Sequence, residues 1–160
     1  MQLGMVGLGR MGANMTARLE AAGHELKTFD PKAGSRTAES LQQLVEQLDP
    51  PRSVWLMVPA GAVEAILEEL VPLLDEGDTI IDGGNSYYVD DLRRAQQLQE
   101  KGLHYVDAGV SGGVWGRERG YCLMVGGDDE AVGRLVPVLE ALAPGLEAAS
   151  RTPGRSGDPA

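Results

Sequence analysis

Cysteine, aromatic side chains and positive charge are all scarce in this sequence. One cysteine, Cys122, stands among 160 residues. An intramolecular disulfide is therefore excluded, and a reducing, cytosolic setting is the expectation. Cys122 lies in the apolar run 121–125 and reads as a buried structural thiol. Aromatic residues make up only 4% of the chain, so its core must be built from Leu, Val, Ala, Ile and Met. Fourteen Lys and Arg face 24 Asp and Glu, a formal net charge of −10. That balance excludes nucleic acid and anionic membrane as natural partners. It also means that an anionic ligand must be held by local donors, with no help from the overall field. No apolar run approaches the length of a membrane span, and no basic segment leads into a long apolar one at the amino terminus. The expectation is a soluble, cytoplasmic protein.

Metal-ligand spacing is missing too. Asp90-Asp91 and Asp128-Asp129 are adjacent pairs, and neighbours on a helix do not share a face. They read as caps or as partners of a helix dipole. His24 and His104 have no acidic or hydroxyl partner at a telling spacing and read as structural or exposed.

What the chain does have is a globular composition, 42% hydrophobic and 24% charged, with 22 glycines. One domain of ordinary size accommodates it. The apolar run up to Val6 predicts a buried strand, and residues 11–22 predict a helix. Between them stands G-x-G-x-x-G: Gly7, Gly9 and Gly12. At such a junction the first glycine turns the chain tightly out of the strand. The second lets a pyrophosphate approach the backbone, and the third lets the helix pack against the sheet. The helix N-terminus offers free N–H groups and the positive end of a dipole to phosphate.

Strand and helix alternate after that. Strands are predicted at 25–29, 53–58, 79–81, 104–106 and 122–125. Helices are predicted at 38–48, 63–74, 90–101 and 128–142, from apolar residues at helical spacing. Gly23 and Gly102 are natural helix stops, and Asp49-Pro50-Pro51 is another. Short connections between alternating elements predict an α/β fold, a doubly wound parallel sheet with helices on both faces. Residues 1–144 form that domain, and 145–160, small, polar and rich in Gly and Pro, read as a flexible tail or linker.

In an open parallel sheet the ligand crevice lies outside the carboxyl ends of the strands. Asp30 ends the second strand, where a carboxylate accepts hydrogen bonds from an adenosine ribose and repels a 2′-phosphate. NAD is favoured over NADP on that ground, although Lys32 and Arg36 stand close enough to soften the preference. The loops 58–61, 83–86 and 107–113 leave other strand ends. Asn85 and Ser86 can donate and accept at a nicotinamide or a sugar. Ser111, Gly112 and Gly113 offer a hydroxyl and a backbone nest for an anion.

These motifs together resemble the decarboxylating 6-phosphogluconate dehydrogenases of the β-hydroxyacid dehydrogenase superfamily. GMVGLGRMGANM (4–15) looks like the superfamily's cofactor signature. VWLMVPAG (54–61), IIDGGNS (80–86) and VDAGVSGGVWGRERGYCLMVGG (106–127) are more specific to the family. The resemblance implies a Rossmann-type cofactor domain and oxidation of 6-phosphogluconate by hydride transfer to a nicotinamide. Loss of carbon dioxide then gives ribulose 5-phosphate, with no metal. By the same resemblance Gly7, Leu8, Gly9, Arg10, Met11 and Gly12 would line the pyrophosphate and nicotinamide. Val58, Pro59 and Ala60 would face the adenosine side. Asn85 would touch cofactor and substrate, and Ser111, Gly112 and Gly113 the substrate. Asp30-Pro31-Lys32 resembles the NAD-preferring branch.

In the family a catalytic lysine and a large helical domain lie beyond the stretch that Ala160 reaches. The resemblance thus implies a cofactor domain with negligible turnover alone, from a homodimeric or homotetrameric parent. Two other readings remain: a domain of a 3-hydroxyisobutyrate-type dehydrogenase, which GGNS disfavours, and a non-catalytic dinucleotide-binding module.

Overall fold

The computed structural model describes residues 1–145, 148 and 154. The tail expected over 145–160 lies otherwise outside the described residues. Strands β1 (Gln2–Val6), β2 (Glu25–Phe29), β3 (Ser53–Leu56), β4 (Thr79–Asp82), β5 (His104–Ser111) and β6 (Cys122–Gly127) form one sheet. Its order is β2-β1-β3-β4-β5-β6. Helices α1 (Arg10–Ala21), α2 (Leu41–Glu46), α3 (Val63–Leu70), α4 (Tyr88–Gln99), α5 (Gly116–Arg119) and α6 (Asp129–Leu142) flank it.

Strand residues alternate between two cores because successive side chains point to opposite faces. Val6, Val54, Leu56, Ile80 and Tyr105 pack with α2, α3 and α4. Leu3, Met5, Trp55, Ile81 and Val106 pack with α1 and α6 on the other side. Burial on both faces explains the near-continuous apolar strands. Among the described residues no helix is long and apolar enough to cross a membrane.

The doubly wound α/β expectation holds, with one departure from an all-parallel sheet. β1 to β5 pair in parallel, but β6 runs antiparallel to β5. This changes residues 107–113, expected to be a loop. The parallel pairing of β4 with β5 ends at Asp82 and Asp107, yet β5 continues to Ser111 because β6 supplies a ladder for it. The β5–β6 ribbon therefore rises past the end of β4 by about 13 Å, at ~3.3 Å per residue. Gly109 and Gly126 hid this strand from a pattern search, since glycine is depleted in strands.

Helix lengths differ from periodicity for local reasons. α2 starts only after Ser40, whose hydroxyl accepts the Gln43 N–H at 3.1 Å. Thr37 and Ala38 are engaged elsewhere, donating their N–H groups to the Thr28 carbonyl of edge strand β2. α3 gives way to a 3₁₀ turn at Val71–Leu73, around Pro72, which has no N–H to continue the helix. Asp128 caps α6 by accepting from the Glu130 and Ala131 N–H groups.

Cys122 is exposed, contrary to the buried thiol expected. It begins edge strand β6, where Leu123 and Val125 turn inward and Cys122 and Met124 outward. Among the described residues no helix covers that outward side.

Arg18 ties the helix of the glycine motif to the far end of the chain. Its guanidinium donates to the carbonyls of Ala141 at 2.8 Å, Arg117 at 3.1 Å and Ala143 at 2.7 Å. One side chain thus docks α1 against α5 and the end of α6. Replacing it as Arg18→Met keeps the aliphatic stem and removes all the donors. The expected loss is about 1–3 kcal/mol of stability, read by chemical denaturation; an unchanged midpoint would refute this role.

Candidate functional site

Each glycine of the motif meets a different physical demand. Gly7 has φ +95°, and a Cβ there would lie 2.5 Å from the Met57 carbonyl oxygen. A Cβ on Gly12 would lie 2.0 Å from the Gly7 carbonyl oxygen, so α1 rests directly on the turn. At Gly9 a Cβ would meet nothing within 4 Å, and the residue is exposed. The first and third glycines serve close packing, and the second keeps open space.

That space is lined with donors. α1 begins at Arg10 with Gly9 as N-cap; no side chain caps it, and no acidic residue stands in its first turn. The first N–H groups of a helix have no intrahelical partner. Here they have no acidic side chain in the helix's own first turn to compete for them, which is the donor set a pyrophosphate requires. Leu8 is half-buried, Arg10 exposed and Met11 half-buried beside this turn.

Asp30, at the end of β2, is built into the same turn. Its Oδ2 accepts the Leu8 N–H at 2.7 Å and its Oδ1 the Lys32 N–H at 2.8 Å. The carboxylate thereby bridges β2 to the glycine turn across the sheet. Each oxygen keeps a lone pair for a further donor. Sequence spacing pointed to Asp30 as a ribose acceptor but carried no sign of its hold on Leu8. Arg36 turns away from that role: it donates to Glu39 and to the Ala33 carbonyl, and pairs with the Glu39 carboxylate. Lys32 is exposed.

The remaining candidates stand at the same edge of the sheet. Val58 is half-buried beside the turn, 3.0 Å from where a Gly7 Cβ would be, and Pro59 and Ala60 are exposed. Asn85 is exposed in the loop after β4, held by Asp82 beneath it. Ser111, Gly112 and Gly113 are exposed where the β5–β6 ribbon ends. α1 reaches this last segment: Asn14 Nδ2 donates to the Val114 carbonyl at 3.4 Å. The fold thus places Gly7–Gly12, 58–60, Asn85 and Ser111–Gly113 along one end of the sheet, where an open parallel sheet has its cleft. Asp30 stands on one side of β1, and β3, β4 and β5 lie on the other.

The basic side chains that could move a proton are elsewhere. Lys27 pairs with Glu25 at 2.7 Å on β2, and Lys101 follows the C-terminal end of α4. His24 lies 3.3 Å from the terminal amine, and His104 Nδ1 lies 3.6 Å from Asp128 Oδ1. Sequence spacing held no hint of that second pairing, because Asp128 arrives through the fold. Among the described residues no cluster of His, Cys, Asp and Glu could hold a metal.

Asp107 stands on β5 level with Asp82 of β4. Burial, and then the charges of Asp91 and Asp82, push its carboxyl above the ordinary range. A carboxyl raised in the folded state favours folding only while protonated. Its ionised form is a penalty, complete above the folded value and gone below the unfolded one. Asp107→Asn should therefore raise the melting temperature at pH 7, and the gain should shrink as pH falls through the carboxylate range. A gain independent of pH in melts from pH 3 to 8 would refute this account.

Residues 2–150 match a family model described as the NAD binding domain of 6-phosphogluconate dehydrogenase. A Haloferax volcanii protein, "6-phosphogluconate dehydrogenase, NAD(+)-dependent, decarboxylating", is 44% identical over 155 residues. The match takes in 91% of this chain and 51% of that one, so the chain spans about half its length. A solved Plasmodium falciparum 6-phosphogluconate dehydrogenase, described with NADP+ and with 6-phosphogluconate, superposes with a TM-score of 0.85 at 28% identity. It covers 93% of this chain and 35% of its own. A Mycobacterium tuberculosis 3-hydroxyisobutyrate dehydrogenase superposes with a TM-score of 0.78 at 29% identity, over 89% of this chain and 52% of that one.

Proposed function

Because the chain belongs to the 6-phosphogluconate dehydrogenase family through its NAD-binding domain, we propose that it lays a nicotinamide dinucleotide across this cleft in one direction. The adenosine ribose binds at Asp30, the pyrophosphate over Gly7–Gly12, and the nicotinamide toward Asn85. The strand order supports that direction, since β2 lies on one side of β1 and β3 and β4 on the other. The observation that carries the reading is the uncapped start of α1, open at Gly9 and hydrogen-bonded through Leu8 to Asp30.

NAD is the preferred form. Asp30 presents a carboxylate where NADP carries a 2′-phosphate; of the two cations near it, Arg36 is committed to Glu39, and Lys32 is exposed beside Asp30. The Haloferax relative's name points the same way.

The substrate in this reading is 6-phosphogluconate, bound by Asn85, Ser111, Gly112 and Gly113 at the nicotinamide end. The nicotinamide, when bound, supplies the hydride acceptor. The residues described here hold and orient the two molecules. None of the chain's lysines stands at the β4 or β5 end of the cleft, so these 160 residues lack a lysine acid or base for the proton.

Three measurements on the 160-residue chain test this. NADH should bind in a fluorescence titration, with no enzyme-like reduction of NAD by 6-phosphogluconate. Gly9→Val should remove that binding without unfolding the chain, because Gly9 has ordinary φ and open space for a side chain. Asp30→Asn keeps an acceptor for Leu8 but drops the charge, and should narrow the gap between NADH and NADPH about tenfold, the effect of one charge–phosphate contact. Unchanged titrations for both variants would remove the glycine turn and Asp30 from the site.

A further inference from the structure

The loop that carries Asn85 is held from beneath by an unusual set of buried groups. Asp82, at the end of β4, is 1% exposed. Its Oδ1 accepts the Gly84 N–H at 2.9 Å, and its Oδ2 accepts the Ser86 hydroxyl at 2.7 Å. The carboxylate therefore grips Asn85 from both flanks.

Asp82 is in turn fixed by a chain leading away from the cleft. The Tyr105 hydroxyl lies 2.9 Å from Asp82 Oδ2 and 2.8 Å from Asp91 Oδ1. Arg94 donates to Asp91 Oδ1 at 2.9 Å, pairs with Glu64, and lies at the longer distance of 3.5 Å from Asp82 Oδ2. Tyr105, Asp91 and Arg94 are all buried. Burying two carboxylates and a guanidinium costs stability unless they pair. A core of β4, β5 and α4 would hold together with apolar residues at these positions, so stability alone does not account for the set.

We propose that Tyr105 is a positioning residue for the nicotinamide half of the site, aligning Asn85 through its contact with the Asp82 carboxylate. This rests on the dinucleotide orientation given above. Tyr105 lies in the α4-side core, so its effect passes through Asp82. The Tyr105 hydroxyl has one proton for two carboxylates, and Arg94 supplies the positive charge that holds Asp91 close. Removing the hydroxyl takes away the short contact at 2.9 Å, leaves Asp82 only the 3.5 Å Arg94 contact on that side, and loosens Gly84, Asn85 and Ser86 together. The glycine turn and Asp30 have their own hydrogen bonds and stay in place.

The test compares NADH with ADP-ribose, which shares the adenosine and pyrophosphate but lacks the nicotinamide. Tyr105→Phe should raise the NADH dissociation constant about five- to tenfold, the usual effect of one buried hydrogen bond, and leave ADP-ribose binding unchanged. Leu98→Ala serves as a control: it opens the same buried cluster under α4 but removes no hydrogen bond of the network, and should lower the melting temperature without changing the ratio of the two affinities. In the same samples the Gly84 and Asn85 amide resonances should shift in Tyr105→Phe and not in Leu98→Ala. Equal weakening of both ligands by Tyr105→Phe, or a selective NADH loss in Leu98→Ala, would overturn the proposal. A wild-type chain that bound neither ligand would overturn the dinucleotide reading itself, and this inference with it.

Discussion

The site depends on how closely α1 is seated on the first turn. Gly12 sits against the Gly7 carbonyl with no room for a methyl group, and Gly7 sits against Met57 in the same way. These contacts set how near α1 comes to β1 and β3. They aim the helix N-terminus along the strand ends, and they leave Gly9 standing clear. Arg18 then binds the other end of the same helix to α5 and α6. The cleft is the space around one helix whose two ends are both fixed.

Acidic residues do much of the local fastening, which gives the net charge a structural meaning. Asp30 holds the turn at Leu8, and Asp82 holds the loop at Gly84. Asp128 caps α6, and Asp78 accepts the N–H groups of Arg52 and Asp75 at the opposite edge of the sheet. In each case a carboxylate takes backbone N–H groups that a tight turn leaves without a carbonyl. Such charge-assisted bonds are stronger than neutral ones. The surplus of negative charge is thus compatible with an anionic ligand, because Asp30 and Asp82, the carboxylates named here that lie near the cleft, face backbone donors.

Much of this could be read from residue order. The glycine spacing, Asp30 and the alternation of elements identify the fold, because each is a local signal with one dominant structural use. The misplaced parts depend on contacts between distant residues. Ala108–Ser111 becomes a strand only because β6 returns beside it, and Cys122 is exposed at the start of edge strand β6. The Asp82–Tyr105–Asp91 set is invisible in one dimension for the same reason: its members come from β4, β5 and α4. The place of Asp30 at the end of β2 was legible from spacing, whereas its grip on Leu8 required the register of β2 against β1.

The strand order also bears on how the chain comes together. Ser111 needs to find only Cys122, a short way along the chain, so the β5–β6 ribbon closes the smallest loop in the sheet. β1 must find Val54 and its neighbours across the whole of β2 and α2. Closing the longer loop costs more chain entropy and delays the contacts that reward it. The strand that carries the glycine turn is therefore the most expensive to place, and a dinucleotide gripping that turn binds only after it is placed. Ligand binding then does more than occupy the cleft: by mass action it favours the chain with its costliest closure already made.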